Sequence, residues 1–188
     1  MNRERVLIMT EPEVSLYIAL HYIKNGLTDE PVTVSIDGAH IKTGNNINFD
    51  IWSFLKKHAL QKIDGIQGRW QGEYRLSKDF PSIIIHSIPG TGDVNIKLKD
   101  GRSVIVESKK GKNNRRSQEY TLMREAIGQL MTGGSLDETK IPIVAVPWSE
   151  KSEELAERWS RYEQIKQCGI RFILVKENGE LVNVGEIF

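Results

Sequence analysis

Apolar and polar positions along this chain fall into two rhythms, a period near 3.6 and a period of 2, and the changes between them predict its elements. Thr10-Glu11-Pro12-Glu13 has the form of a capping box with proline near the first helical position. It predicts a helix to about Asn25, stopped by Gly26. Pro31 to Ile36, then Asp37-Gly38, then Ala39-His40-Ile41 predicts a hairpin, and polar Thr43 to Asn46 leads to a helix from about Phe49 to Gln61. A strand is expected at Trp70 to Leu76, a turn at Pro81, and an apolar strand at Ser82-Ile83-Ile84-Ile85-His86. After the glycine loop Pro89-Gly90-Thr91-Gly92, alternation resumes over Val94 to Leu98 and again over Arg102 to Val106. Ser117 is expected to cap a helix to about Met131, with Leu122, Met123, Ala126, Ile127 and Leu130 at helical spacing and Gly133-Gly134 as its end. Ile141 to Val146 is a continuous apolar strand, which suits a sheet covered on both faces. Glu150 to Gln167 predicts an amphipathic helix with Leu155, Trp159, Tyr162 and Ile165 inward. Ile170 to Val175, a turn at Asn178-Gly179, and Leu181 to Val184 follow. There is no internal repeat and no low-complexity segment.

The most informative stretch is the alternating pair around Asp100-Gly101. A two-residue turn there would oppose Val94 to Glu107, mixing apolar and charged partners. A three-residue loop, Lys99-Asp100-Gly101 with glycine in the left-handed position, pairs Val94 with Val106, Ile96 with Val104 and Lys97 with Ser103, so each face stays consistent. That register sets Asp93 opposite Glu107, with β-carbons roughly 5 Å apart. Lys109, two residues beyond Glu107, points to the same face. Two facing carboxylates beside a lysine are costly unless a cation binds between them, so the arrangement reads as a metal site.

Asp93, Glu107-x-Lys109 and the hairpin that carries them resemble the core of the PD-(D/E)xK nuclease superfamily, with Gly92 standing where the family pattern has proline. The resemblance spans roughly Ser82 to Val184. It implies an α/β fold with a restriction-endonuclease-like core, a central mixed sheet flanked by helices. Residues 81–188 would form this core, and residues 1–80 an N-terminal helix plus a hairpin-helix extension packed on it. It further implies that Asp93, Glu107 and the backbone carbonyl of Ser108 hold a metal while Lys109 serves the attacking water. In the family a helix before the first core strand often supplies another acid. Glu13 is the first candidate and Glu11 the second, although Glu13 is equally explained as the capping-box residue. Similar families also aim a polar side chain of the helix after the hairpin at the site. Gln129 fits that place, or else faces solvent. The four histidines, His21, His40, His58 and His86, show no metal-ligand spacing.

Composition narrows the picture less than its distribution does. The chain has 188 residues and a formal net charge of +1. Between Lys97 and Arg116, however, eight residues are basic and two acidic, the kind of footprint a phosphate backbone selects. Lys110, Lys112, Arg115 and Arg116 are the candidate nucleic-acid contacts. One cysteine, Cys168, excludes an internal disulfide and favours a reducing compartment. No apolar run is long enough to span a membrane and Met1 to Arg5 lacks a signal-peptide core, so a cytoplasmic protein without membrane association is expected.

The resulting expectation is an endonuclease hydrolysing DNA phosphodiesters, with Mg²⁺ as cofactor because carboxylate and carbonyl oxygens suit a hard cation, and Mn²⁺ as its substitute. Restriction, phage defence and repair are all compatible roles. A homodimer is an open alternative to a monomer. The competing readings are a nucleic-acid-binding or assembly module that keeps the fold without cleaving, and an RNA-cleaving relative.

Overall fold

Val32 and Val34 are fully buried and alternate with half-exposed Thr33 and Ser35, and the short strand they form lies inside the sheet that organises the molecule. In the computed structural model, which describes residues 9–90, 92–111 and 116–184, the elements run in chain order as follows. Helix α1 (Glu11–Lys24) leads to β1 (Val32–Ser35), the short helix α2 (Gly38–Ile41), a two-stranded ribbon β2 (Lys42–Thr43) and β3 (Asn46–Ile47), and α3 (Ile51–Lys57). Then come β4 (Gln61–Asp64), β5 (Gly72–Arg75), β6 (Ile83–His86), β7 (Val94–Lys97), β8 (Ser103–Ser108) and α4 (Arg116–Thr132). The chain closes with β9 (Lys140–Pro147), α5 (Glu150–Ser160), α6 (Glu163–Gln167), β10 (Arg171–Val175) and β11 (Leu181–Val184).

Nine strands form one mixed sheet in the order β11-β10-β9-β8-β7-β1-β6-β5-β4. The protein is thus α/β, with helices on both faces. Alternation along β8 separates the two cores: Val104 and Val106 pack with α1, whereas Ile105 packs with α4 and α5. On the second face Met123, Ala126 and Leu130 of α4 and Leu155 and Trp159 of α5 cover Val144, Phe172 and Leu174. β9 is buried on both faces and runs parallel to both β8 and β10, as its continuous apolar sequence requires. The expected register of the β7–β8 hairpin is present, with Val94↔Val106, Ile96↔Val104 and Lys97↔Ser103. Gly101 closes it at φ +90°, a conformation that favours glycine, while the Leu98 amide donates to the Arg102 carbonyl at 2.8 Å.

Several boundaries differ from expectation. No hairpin forms over residues 31–41: β1 pairs parallel with β6 and antiparallel with β7. Asp37 accepts the Ala39 amide at 2.9 Å and caps α2 instead of turning a ribbon. Aspartate followed by glycine serves either purpose, and the long-range partners of β1 decide between them. The helix expected to reach Gln61 ends at Lys57, because Ala59 takes φ +55° and Gln61 opens β4. The segment before residue 80 thus contributes β1, β4 and β5 to the same sheet as the rest. α4 is described from Arg116 on, and the cap expected of the Ser117 side chain lies outside what the structure describes. The helix expected over Glu150 to Gln167 breaks at Arg161–Tyr162, where Tyr162 adopts ψ 133° and is 48% exposed. Leu155, Trp159 and Ile165 still face the core across that break, so their spacing alone could not reveal it. No helix among the described residues is long and apolar enough to cross a membrane.

Candidate active site

The hairpin delivers its polar residues to one end of the sheet. β8 carries Glu107 and Ser108 there and Lys109 follows at its end, all buried, at 7%, 0% and 5% exposure. Asp93 stands just before β7 and is fixed at three points. Its amide donates to the Val106 carbonyl at 2.7 Å, its carbonyl accepts the Ser35 amide at 2.8 Å, and its carboxylate Oδ2 accepts the Ser108 amide at 2.7 Å. The Asp93 side chain thus occupies a place in the ladder that a main-chain carbonyl would otherwise take. Within a strand the N–H and C=O of one residue point the same way, so the Ser108 carbonyl heads toward the Asp93 side as well.

Gly92 holds a position that proline could not take. Its φ of +73° is closed to proline, and a β-carbon there would lie 2.7 Å from Ile105 Cγ2 and 2.9 Å from the Val106 carbonyl oxygen. The close approach of this backbone to β8 is what brings the Asp93 carboxylate to the Ser108 amide.

Lys109 is the hub of the charges. Its Nζ donates to Glu107 Oε1 at 2.8 Å and lies 4.0 Å from Glu11 Oε2 and 4.0 Å from Glu125 Oε1. Glu11 in turn meets His40, Oε1 to Nδ1, at 3.2 Å. A cavity of about 370 Å³ opens beside these groups, and Glu11, Asp93, Glu107, His40 and Gln129 are among its lining residues. Burial, reinforced by the Glu107 charge, pushes the Asp93 carboxyl up to about 7. Burial also raises Glu11, against the pull of Lys109 and His40. For Lys109 burial acts downward, but the Glu107 hydrogen bond and the charges of Glu107, Glu11 and Asp93 outweigh it and hold the ammonium above its ordinary value. Four carboxyl groups, those of Glu11, Asp93, Glu107 and Glu125, therefore act on one ammonium, an arrangement that added positive charge would relieve.

The structure brings together Asp93, Glu107, Ser108, Lys109 and Gln129. It does not bring Glu13 to them. Glu13 Oε2 accepts the Thr10 amide at 3.0 Å, completing the capping box, and Glu13 is not among the cavity-lining residues. Glu11, the second candidate, lines the cavity. A signal for it lay in the sequence: Glu11 and Ser15, four residues apart, share one face of a helix that is otherwise largely apolar. Ser15 is buried and donates from Oγ to Ser108 Oγ at 2.9 Å, which ties α1 to β8 directly beside the carboxylates. His40 and Asp37 also line the cavity, and no local spacing marked them, because α2 reaches the site only through the position of β1. Lys110 is exposed next to Lys109, and Arg116 opens α4. Lys112 and Arg115 lie outside the described residues.

The donor chemistry, carboxylates and a main-chain carbonyl, suits a hard divalent cation such as Mg²⁺. As the side chains stand, no group of three or more His, Cys, Asp or Glu among the described residues is placed to hold a metal ion. The Lys109 ammonium sits against Glu107 where a cation would approach it. Comparison of the chain with protein-family models, with curated proteins and with solved structures finds no match.

Proposed function

We propose that this cavity is the active site of a metal-dependent endonuclease acting on DNA, built on a restriction-endonuclease-like core. The observation that carries the reading is that Asp93 and Glu107 line one polar cavity, with buried Lys109 bonded to Glu107, at the hairpin register that the apolar pairs predict. The element order adds support. α1 directly precedes β1, β1 lies beside the β7–β8 hairpin, and α4 crosses over to parallel β9. A helix before the first core strand is where the family often carries a further acid, and Glu11 stands there.

In this reading Asp93, Glu107 and the Ser108 carbonyl would hold Mg²⁺, with Mn²⁺ as its substitute. Bound there, the ion would polarise the scissile phosphate, lower the pKa of a bound water and stabilise the leaving oxygen. Lys109 orients the attacking water and offsets the negative charge that develops on the phosphate. Glu11, held between Lys109 and His40, fixes the ammonium on its far side. Gln129 offers a neutral hydrogen-bonding group to the substrate at the cavity wall. Lys110 and Arg116, with Lys112 and Arg115, grip backbone phosphates without reading sequence.

The roles of the two N-terminal acids separate cleanly. Glu11→Gln is expected to lower the Mg²⁺-dependent cleavage rate by about tenfold or more, as loss of a group acting at the chemical step does. Glu13→Gln is expected to leave the rate unchanged and to cost about 1 kcal/mol of stability through the weakened cap. Cleavage kinetics and thermal melts of the two variants check this, and the reverse pattern would return the role to Glu13.

A further inference from the structure

A second cavity lies at the opposite end of the same strand. β8 begins at Ser103, paired with Lys140 at the start of β9, and runs from there to Ser108. At roughly 3.3 Å per residue that separates the two ends by about 17 Å. The cavity there, about 720 Å³, falls in the range of small-molecule sites, and its character differs from that of the carboxylate site. Its charged lining residues are Arg102, Lys140, Lys166 and Arg171 against Asp137 and Glu138, four cations to two acids.

Arg171 is held below its ordinary value by burial and by the charge of Arg102, two guanidinium groups sharing one environment. Asp137 accepts from the Thr139 amide and hydroxyl and answers Lys140 at 3.4 Å. Arg102 also holds exposed Asp100 at 2.6 Å, on the turn of the hairpin. Beside the charges stand apolar groups, Met131, 48% exposed, and Leu136. Clustered guanidinium groups with an ammonium next to an apolar wall match a ligand with phosphate oxygens at one end and a flat or apolar body at the other.

We propose that this cavity binds a phosphate-bearing small molecule of nucleotide size, its phosphates against Arg102, Lys166 and Arg171. The inference does not rest on the nuclease reading. The test is calorimetric titration of the whole protein in EDTA, at fixed ionic strength, with inorganic pyrophosphate in one arm and ATP in the other. Saturable binding of one equivalent is expected. Tighter binding of ATP assigns the nucleotide, equal binding assigns the phosphates alone, and either result supports the site. Lys166→Gln and Arg102→Gln should each weaken binding at least fivefold, whereas Asp93→Ala should leave it unchanged. Lys166 is exposed on α6, so its substitution leaves the core intact and is the decisive variant. Absence of saturable binding by both probes, unchanged affinity in Lys166→Gln, or loss of binding in Asp93→Ala would overturn the proposal.

Discussion

Asp93→Ala is expected to abolish the stabilisation of this protein by Mg²⁺ together with its Mg²⁺-dependent cleavage. A ligand at a hundred times its dissociation constant stabilises by about 2.7 kcal/mol, which for a domain of this size is a rise in melting temperature of about 5–11 °C. The wild type should show a rise of that order and the variant none. The metal-free variant should still fold. The substitution leaves the Ser108 amide without its acceptor, a loss of about 1–3 kcal/mol. It also removes a buried carboxyl that burial and Glu107 already hold near 7, so the two effects oppose each other. Thermal melts with and without Mg²⁺ measure this directly. An equal rise in both proteins would move the metal away from Asp93.

Lys109→Ala is expected to act twice. In the metal-free protein it removes the partner of buried Glu107 and a cation 4.0 Å from Glu11, and breaking such a buried pair costs about 3–5 kcal/mol. Added Mg²⁺ should restore part of that loss, because it supplies positive charge to the same carboxylates. In catalysis the variant should lose at least about a hundredfold in rate while DNA binding changes little, the signature of a contact made in the transition state. Chemical denaturation and single-turnover cleavage separate the two effects. A parallel loss of binding and rate would make Lys109 one more backbone lysine.

What the sequence revealed and what it hid follow from the range of the interactions involved. The β7–β8 hairpin was legible because its turn, its alternation and its apolar pairs all lie within about fifteen residues, and each excludes the alternative register. The cap of α1 was legible for the same reason. β1 was not, since its partners β6 and β7 lie some fifty to sixty residues away and four residues of valine alternation fit a local hairpin equally well. The choice between Glu11 and Glu13 depended on that strand. Only with β1 next to β7 does the first turn of α1 rest beside Ser108, and only then does Glu11, with Ser15, face Lys109 while Glu13 turns back to Thr10. The second cavity was hidden by the same logic, because Arg102, Lys166 and Arg171 meet only through the pairing of β8, β9 and β10.

Hydrolysis of DNA at the Asp93–Glu107–Lys109 site is measured by incubating the purified protein with duplex, branched and single-stranded DNA and with RNA, in Mg²⁺, in Mn²⁺ and in EDTA. Cleavage of at least one DNA substrate is expected in either metal and none in EDTA. Intact DNA in all three conditions, or cleavage of RNA alone, would contradict it.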